Sequence, residues 1–317
     1  MPQSTTMPSQ KPLHPGRESS RALGYGACAL AGVLWSTGFL FGKIALRSMS
    51  STDMVLYRFL FGCAALLPVL RIPRFSRREW GQLLLASLLG VPVQFLTQFY
   101  GLSLTTVSHA ALMVGTMPGI LALGATIFAG ERLPALGWLA LAGSSAGVGL
   151  IVVSSGGGHA APGIGPSLTG DLLIVLSLAI SLGWLLLNKS LVRRHSALQV
   201  TAWGLLAGTA MLVAWVLVRD GLPPVRGVPP VAWWSLGASG VLCTAVTSVL
   251  WNWGMRHVPA SRAAVFLNIE PALGSALGVW LLEDTLGPLA WAGGGLILVA
   301  AVVLTSTGKA DAEMVLE

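Results

Sequence analysis

Charge is what this sequence has least of. Only 10% of its 317 residues are Asp, Glu, Lys or Arg, where an ordinary soluble domain carries about 25%. Hydrophobic residues make up 54% and the mean hydropathy is +0.75. That balance excludes a soluble domain and points to an integral membrane chain. Cysteine is nearly missing as well. Cys28, Cys63 and Cys243 each lie in an apolar run. They are too few and too scattered for a disulfide framework or a metal site, and read as small buried hydrophobes. Acidic residues number 12 against 19 basic ones. The surplus does not indicate nucleic acid, because the basic residues cluster briefly between apolar runs, as cytoplasmic loops do. A nucleotide-binding Gly-x-x-x-x-Gly-Lys, a histidine pair with a glutamate and a serine elbow are all absent. The chain is therefore expected not to be an enzyme, with no catalytic residue, no cofactor and no metal. A cleavable signal peptide is not expected, since the first apolar run is long enough to span.

What is present is apolar length. Ten runs approach the roughly 20 residues a helix needs to cross the bilayer core. They lie near 23–42, 54–70, 81–102, 107–129, 135–153, 171–188, 197–218, 231–253, 263–282 and 288–305. Short connections make neighbouring helices antiparallel. With the N-terminus in the cytoplasm, 14 Lys and Arg fall inside, Arg132, Arg256 and Arg262 among them. Only Lys43, Arg47, Arg219 and Arg226 fall outside, and Arg58 lies within a span. That bias places both termini in the cytoplasm.

The chain repeats itself. Shifted by 153 positions, Gly254 falls on Gly101, Ser261 on Ser108, Ala263-Ala264 on Ala110-Ala111, Pro271 on Pro118, Leu286 on Leu133 and Trp291 on Trp138. Shifted by 146, Lys189 falls on Lys43, Arg193 on Arg47 and Gly208 on Gly62. Repeats of this kind in a membrane chain point to a transporter and its site. Each half holds five spans, an odd number, so the second half enters the membrane from the opposite side. The expected fold is all-α, with ten transmembrane helices in two inverted five-helix repeats. The expected segments are a disordered cytoplasmic tail 1–21, a first repeat 22–153, an external linker 154–170, a second repeat 171–305 and a cytoplasmic tail 306–317. Small residues spaced four apart, such as Gly147 with Gly143 and Gly274 with Gly278, favour close helix packing.

Polar residues inside spans are functional candidates by default. Glu270 leads them. It lies deep in span nine, directly before Pro271, and a carboxyl in hydrocarbon is stable as the neutral acid unless a cation pairs with it. That suits it to a coupling proton or a substrate ammonium. The alternative is a structural ion pair with Arg58. Pro118 and Pro271 read as kinks beside a cavity, since each removes a helix hydrogen bond. His109 follows Ser108, read as a helix cap, and could titrate near neutrality. Gln94 and Gln98 sit one turn apart, with Tyr100 following. Asn252 lies in span eight, and Trp35 and Trp184 lie too deep for an interfacial belt. These residues are expected to line a substrate site.

Several stretches together resemble the drug/metabolite transporter superfamily, in its EamA-type ten-helix exporters. They are SHAAL from Ser108, GERL ending at Leu133, PASRAAVFLNIEP from Pro259 to Pro271, Tyr57-Arg58-Phe59 and GDLL from Gly170. Gly130-Glu131 fits the family pattern, whereas the second half has Glu283-Asp284 there. The resemblance implies two EamA repeats, a central cavity and alternating access in a bacterial inner membrane. It also implies export of amino acids or other small metabolites, one branch handling aromatic amino acids. The expected partners are thus a small-molecule substrate, the lipid bilayer and protons, with no nucleic acid. Lipophilic cations or sugars remain alternative substrates. Scarce intramembrane Lys and Arg argue against polyanions. The oligomeric state is left open.

Overall fold

The computed structural model describes residues 15–129, 134–154, 165–255, 257–258 and 264–307. Helix α1 (Pro15–Leu46) starts inside the segment expected to be a tail. Helix α2 (Ser51–Leu66) is capped by Ser50, whose hydroxyl accepts from the Asp53 amide, and ends in a 3-10 turn at Pro68. Helix α3 (Arg77–Leu88) opens with a reciprocal Ser76–Glu79 capping box. This satisfies two helix-end donors at once. A π-helical segment, Leu89–Val93, joins it to α4 (Gln94–Leu104). Then follow α5 (Val107–Val114), α6 (Met117–Ala129), α7 (Ala135–Ser154), α8 (Leu168–Arg194) and α9 (Ala197–Arg219). Helix α10 (Pro230–Gly240) passes through a second π segment, Val241–Val246, into α11 (Thr247–Met255). A 3-10 segment, Ala264–Asn268, leads into α12 (Ile269–Leu282), and α13 (Pro288–Thr307) closes the described chain.

Among the described residues eight helical runs are long and apolar enough to cross a membrane. Phe266–Leu282 and Pro288–Leu304 are shorter apolar helices at the places expected for spans nine and ten. Span nine opens as 3-10 turns before α12 begins. The outside of the bundle is apolar. Val218, Trp234 and Trp280 are 90%, 80% and 77% exposed, which suits a surface solvated by lipid.

The repeat is visible in the backbone. The run Arg77–Leu104 contains a π segment at 89–93, and 153 residues on the run Pro230–Met255 contains one at 241–246. Helix α6 begins at Met117, and α12 begins at Ile269, beside the matching Glu270. The helix crossings repeat too. A Cβ built on Gly101 would lie 2.9 Å from the Gly170 carbonyl oxygen, and one on Gly254 would lie 2.9 Å from that of Gly24. So α4 crosses α8 as α11 crosses α1. Helices α7 and α13 pack along each other, with Gly147 and Gly293 in backbone contact.

These crossings leave no room for a side chain. Gly101→Val or Gly254→Val is expected to cost about 1–3 kcal/mol by overpacking, read as a lower unfolding temperature in detergent. Gly26→Val, where an added Cβ meets nothing within 4 Å, should leave it unchanged. Equal behaviour of all three variants would contradict the crossings.

Candidate functional site

The middle of α1 is the hub. The Trp35 indole is tilted against Trp251 of α11, with ring centroids 5.3 Å apart. The Ser36 carbonyl faces Gly274 of α12. Thr37 shares a 3.3 Å hydrogen bond with Cys243 of the second π segment. Gly38 faces the Arg58 guanidinium of α2, and Phe39 packs on Phe99 of α4 at 6.2 Å. Five consecutive residues thus touch five different elements.

Glu270 lies in the first turn of α12, where the positive end of the helix favours a carboxylate. It is partly accessible. Just before it, the Asn268 amide Nδ2 is buried without a hydrogen-bond partner. Arg58 is only 5% exposed. Its Nε donates to Thr244 Oγ1 at 3.2 Å, and its Cζ lies 5.1 Å from the ring centroids of both Phe95 and Phe99. Glu270 and Arg58 feel each other electrostatically. They do not form the expected ion pair, since among the described residues no carboxylate reaches ion-pair distance of Arg58.

The prolines do not kink continuous helices. Span four breaks at Gly115-Thr116, and Pro118 is the second residue of the new helix α6. Pro271 sits likewise in the first turn of α12. A first turn is where proline loses no hydrogen bond. The two breaks meet, since a Cβ on Gly115 would lie 3.3 Å from Pro271 Cβ.

Gln98 is 7% exposed, while Gln94 and Asn252 are partly buried. Among the described residues none of the three amides hydrogen-bonds to protein. Trp184 is 37% exposed and lies over Gly90 in the first π segment. Tyr100 is 53% exposed and lies on the other face of α4 from Gln98, because two residues turn a helix by roughly 200°.

His109 belongs to a separate cluster at the end of the bundle read as outer. Its Nδ1 is 2.9 Å from Asp171 Oδ2, and Thr105 Oγ1 donates to Asp171 Oδ1 at 2.6 Å. Lys43 Nζ donates to the Leu102 carbonyl at 2.9 Å and to that of Thr105. Thr106, not Ser108, caps α5. Ser108 instead donates through its amide and hydroxyl to Asp284 Oδ2, at 2.8 and 2.9 Å. Ser261 and Arg262 lie outside the described residues. A groove of about 410 Å³, lined by Leu40, Ile44, Arg47, Pro229, Leu281 and Leu282, opens at this same end. It lies about three helical turns beyond Glu270 along α12. Sequence reasoning gave no site role to Arg58 or Asp171. Asp171 was signalled by its place at the mouth of an apolar run, whereas Arg58 was set down as a structural partner.

The sequence profile of the EamA-like transporter family matches residues 22–153 and 168–306. The chain belongs to this family. It is a multi-pass integral membrane transporter of small molecules, not an enzyme. It is 26% identical over 285 residues to an uncharacterized transporter of Archaeoglobus fulgidus, covering 88% of this chain and 95% of that one. A probable terminal-alkyne amino-acid exporter of Streptantibioticus cattleyicolor is 24% identical, with 88% and 92% covered. A probable biotin transporter of Pseudomonas aeruginosa is 27% identical, with 88% and 96% covered. One solved crystal structure superposes with a TM-score of 0.61 at 21% identity, covering 92% of this chain and 98% of its own. That likeness concerns the fold alone. Among the described residues no cluster of three or more His, Cys, Asp or Glu could hold a metal ion.

Proposed function

We propose that this transporter exports amino acids, aromatic or large apolar ones first, or similar small metabolites, by alternating access in a bacterial inner membrane. It does so as two inverted five-helix repeats, residues 22–153 and 171–305, with both termini in the cytoplasm. The observation that carries this reading is Glu270, a partly accessible carboxyl in the first turn of α12, where the breaks of spans four and nine meet. Broken helices at matching points of two halves form the site in many transporters. Glu270 takes the substrate ammonium or a coupling proton. The Gln94, Gln98 and Asn252 amides supply unpaired donors and acceptors, and Trp35 with Trp251 supplies an aromatic wall. Trp184, which lies over Gly90 of the first π segment, is a further aromatic residue of the proposed site. Tyr100 and His109 drop out of the substrate site, the first for its exposure and the second for its bond to Asp171. Relatives named for an amino acid and for biotin support small organic solutes as the substrate class.

The test is efflux from proteoliposomes loaded with labelled amino acids, with and without a pH gradient. Release of aromatic and large apolar members ahead of small polar ones is expected, faster when the gradient is imposed. Release of none would turn the search to lipophilic cations, which Glu270 and the tryptophans would also suit.

A further inference from the structure

Arg58 has more donors than the protein uses. A guanidinium presents five N–H groups in a fixed fork. Thr244 takes the one on Nε. Phe95 and Phe99, stacked with ring centroids 6.2 Å apart, lie together on one side of the guanidinium, each centroid 5.1 Å from Cζ. The Nη edge points toward Gly38, where a Cβ would lie 3.9 Å from Nη1 and 4.0 Å from Nη2, beside Cys243. Glycine at that position sets no side chain of its own against the Nη edge. Among the described residues no acceptor is bonded to either Nη. A buried cation with no carboxylate in contact is costly to keep, so its donors are held ready for something else.

We infer that the Nη edge of Arg58 is the seat of a substrate carboxylate. The deduction rests on the reading of this region as the transport site, and it narrows the substrate class to small monocarboxylates, zwitterionic or anionic. An amino acid would set its carboxylate on the Arg58 fork and its ammonium toward Glu270, so that two charges held apart by the protein are bridged by the ligand. The fork and a carboxylate match in geometry, two parallel N–H···O bonds to two oxygens. Trp35 and Trp251, on the same stretch of α1 and on α11, would receive an aromatic side chain.

The probes are L-phenylalanine, 3-phenylpropanoate, which lacks the ammonium, and phenethylamine, which lacks the carboxylate. Acetate serves as the minimal carboxylate. Each is added to the purified full-length chain in detergent, and binding is read as a concentration-dependent rise in unfolding temperature. Phenylalanine and phenylpropanoate should stabilise the wild-type protein, and phenethylamine far less. Arg58→Gln should weaken the carboxylate probes by about 10- to 100-fold, the range expected for a charge-assisted hydrogen bond. Arg58→Lys keeps the charge without the fork and should weaken them by about tenfold. Gly38→Ala adds a methyl at ordinary contact distance from its neighbours, so the fold accommodates it while the Nη edge is covered. It should weaken the same probes at unchanged stability, and it tests the seat even if Arg58→Gln does not fold. No stabilisation of the wild-type protein by any carboxylate, or equal binding of carboxylate probes to Arg58→Gln, overturns the inference. Efflux of phenethylamine without carboxylate preference would also overturn the seat and leave the transport reading standing. Carboxylate stabilisation lost in Arg58→Gln, with no efflux of those compounds, would keep the seat and sink the transport reading.

Discussion

Glu270→Gln is expected to abolish the acceleration of efflux by a pH gradient while leaving the unfolding temperature within a degree or two of wild type. Glutamine keeps the shape and hydrogen-bonding capacity of the side chain and removes only its titration. Coupling between two sites is usually a free energy of about 1–3 kcal/mol, a factor of roughly 5–150, so the gradient-driven component should fall by up to about 100-fold. The stability readout tells a coupling role from a structural one. Had Glu270 been one half of a buried salt bridge, removing it would cost about 3–5 kcal/mol. The structure holds the two groups out of ion-pair contact, so little is lost on neutralisation. Efflux in proteoliposomes and thermal unfolding of the same preparation check both halves. Unimpaired gradient-driven efflux with a large loss of stability would return Glu270 to a structural role.

The sequence made legible whatever depends on the apolar pattern of one span at a time. The helical runs, the 153-residue echo and the place of Glu270 beside Pro271 all belong to that class. Contacts across helices were not legible. Arg58 lies 37 positions before Phe95 and 186 before Thr244, and no local pattern announces that these side chains converge. The π segments at 89–93 and 241–246 have no signature of their own, since Pro92 in the first is matched by Ala245 in the second. Tyr100, grouped with the glutamines in sequence, is exposed on another face of α4 for a simpler reason. Polarity alone cannot choose a face, and only the helical period separates it from Gln94 and Gln98. The prolines were found but misread, because a sequence does not say whether proline bends a helix or begins one.

The two halves are alike in backbone and unlike in charge, and the site depends on that difference. Met117 stands where the second half has Glu270, and Gly115 where it has Asn268. The first half thus contributes an apolar break that packs against Pro271, and the second contributes the polar groups. The backbone crossings fix where the two breaks meet, and in the proposed site the substituted positions would fix what a ligand meets there.

His109→Leu is expected to destabilise the chain by about 3–5 kcal/mol, and Asp171→Leu by less, about 1–3 kcal/mol. The order follows from what each change leaves behind. Leucine at 109 takes the imidazole from a fully buried carboxylate that keeps the Thr105 hydroxyl, and a buried charge that has lost a partner is the costlier remnant. Leucine at 171 removes the charge and takes one acceptor from the Thr105 hydroxyl and from the His109 imidazole, the smaller penalty of an unmade hydrogen bond. The double variant should therefore be more stable than His109→Leu, because it removes the carboxylate along with its partner. Unfolding temperatures of the four proteins form a double-mutant cycle. A coupling energy near zero would mean that the contact carries no net stability. A strong coupling would show that this pair fastens α5 to α8 beside the Gly101·Gly170 crossing. Alternating access requires that end of the bundle to open, so the same double variant should change the efflux rate even though it lies far from Glu270.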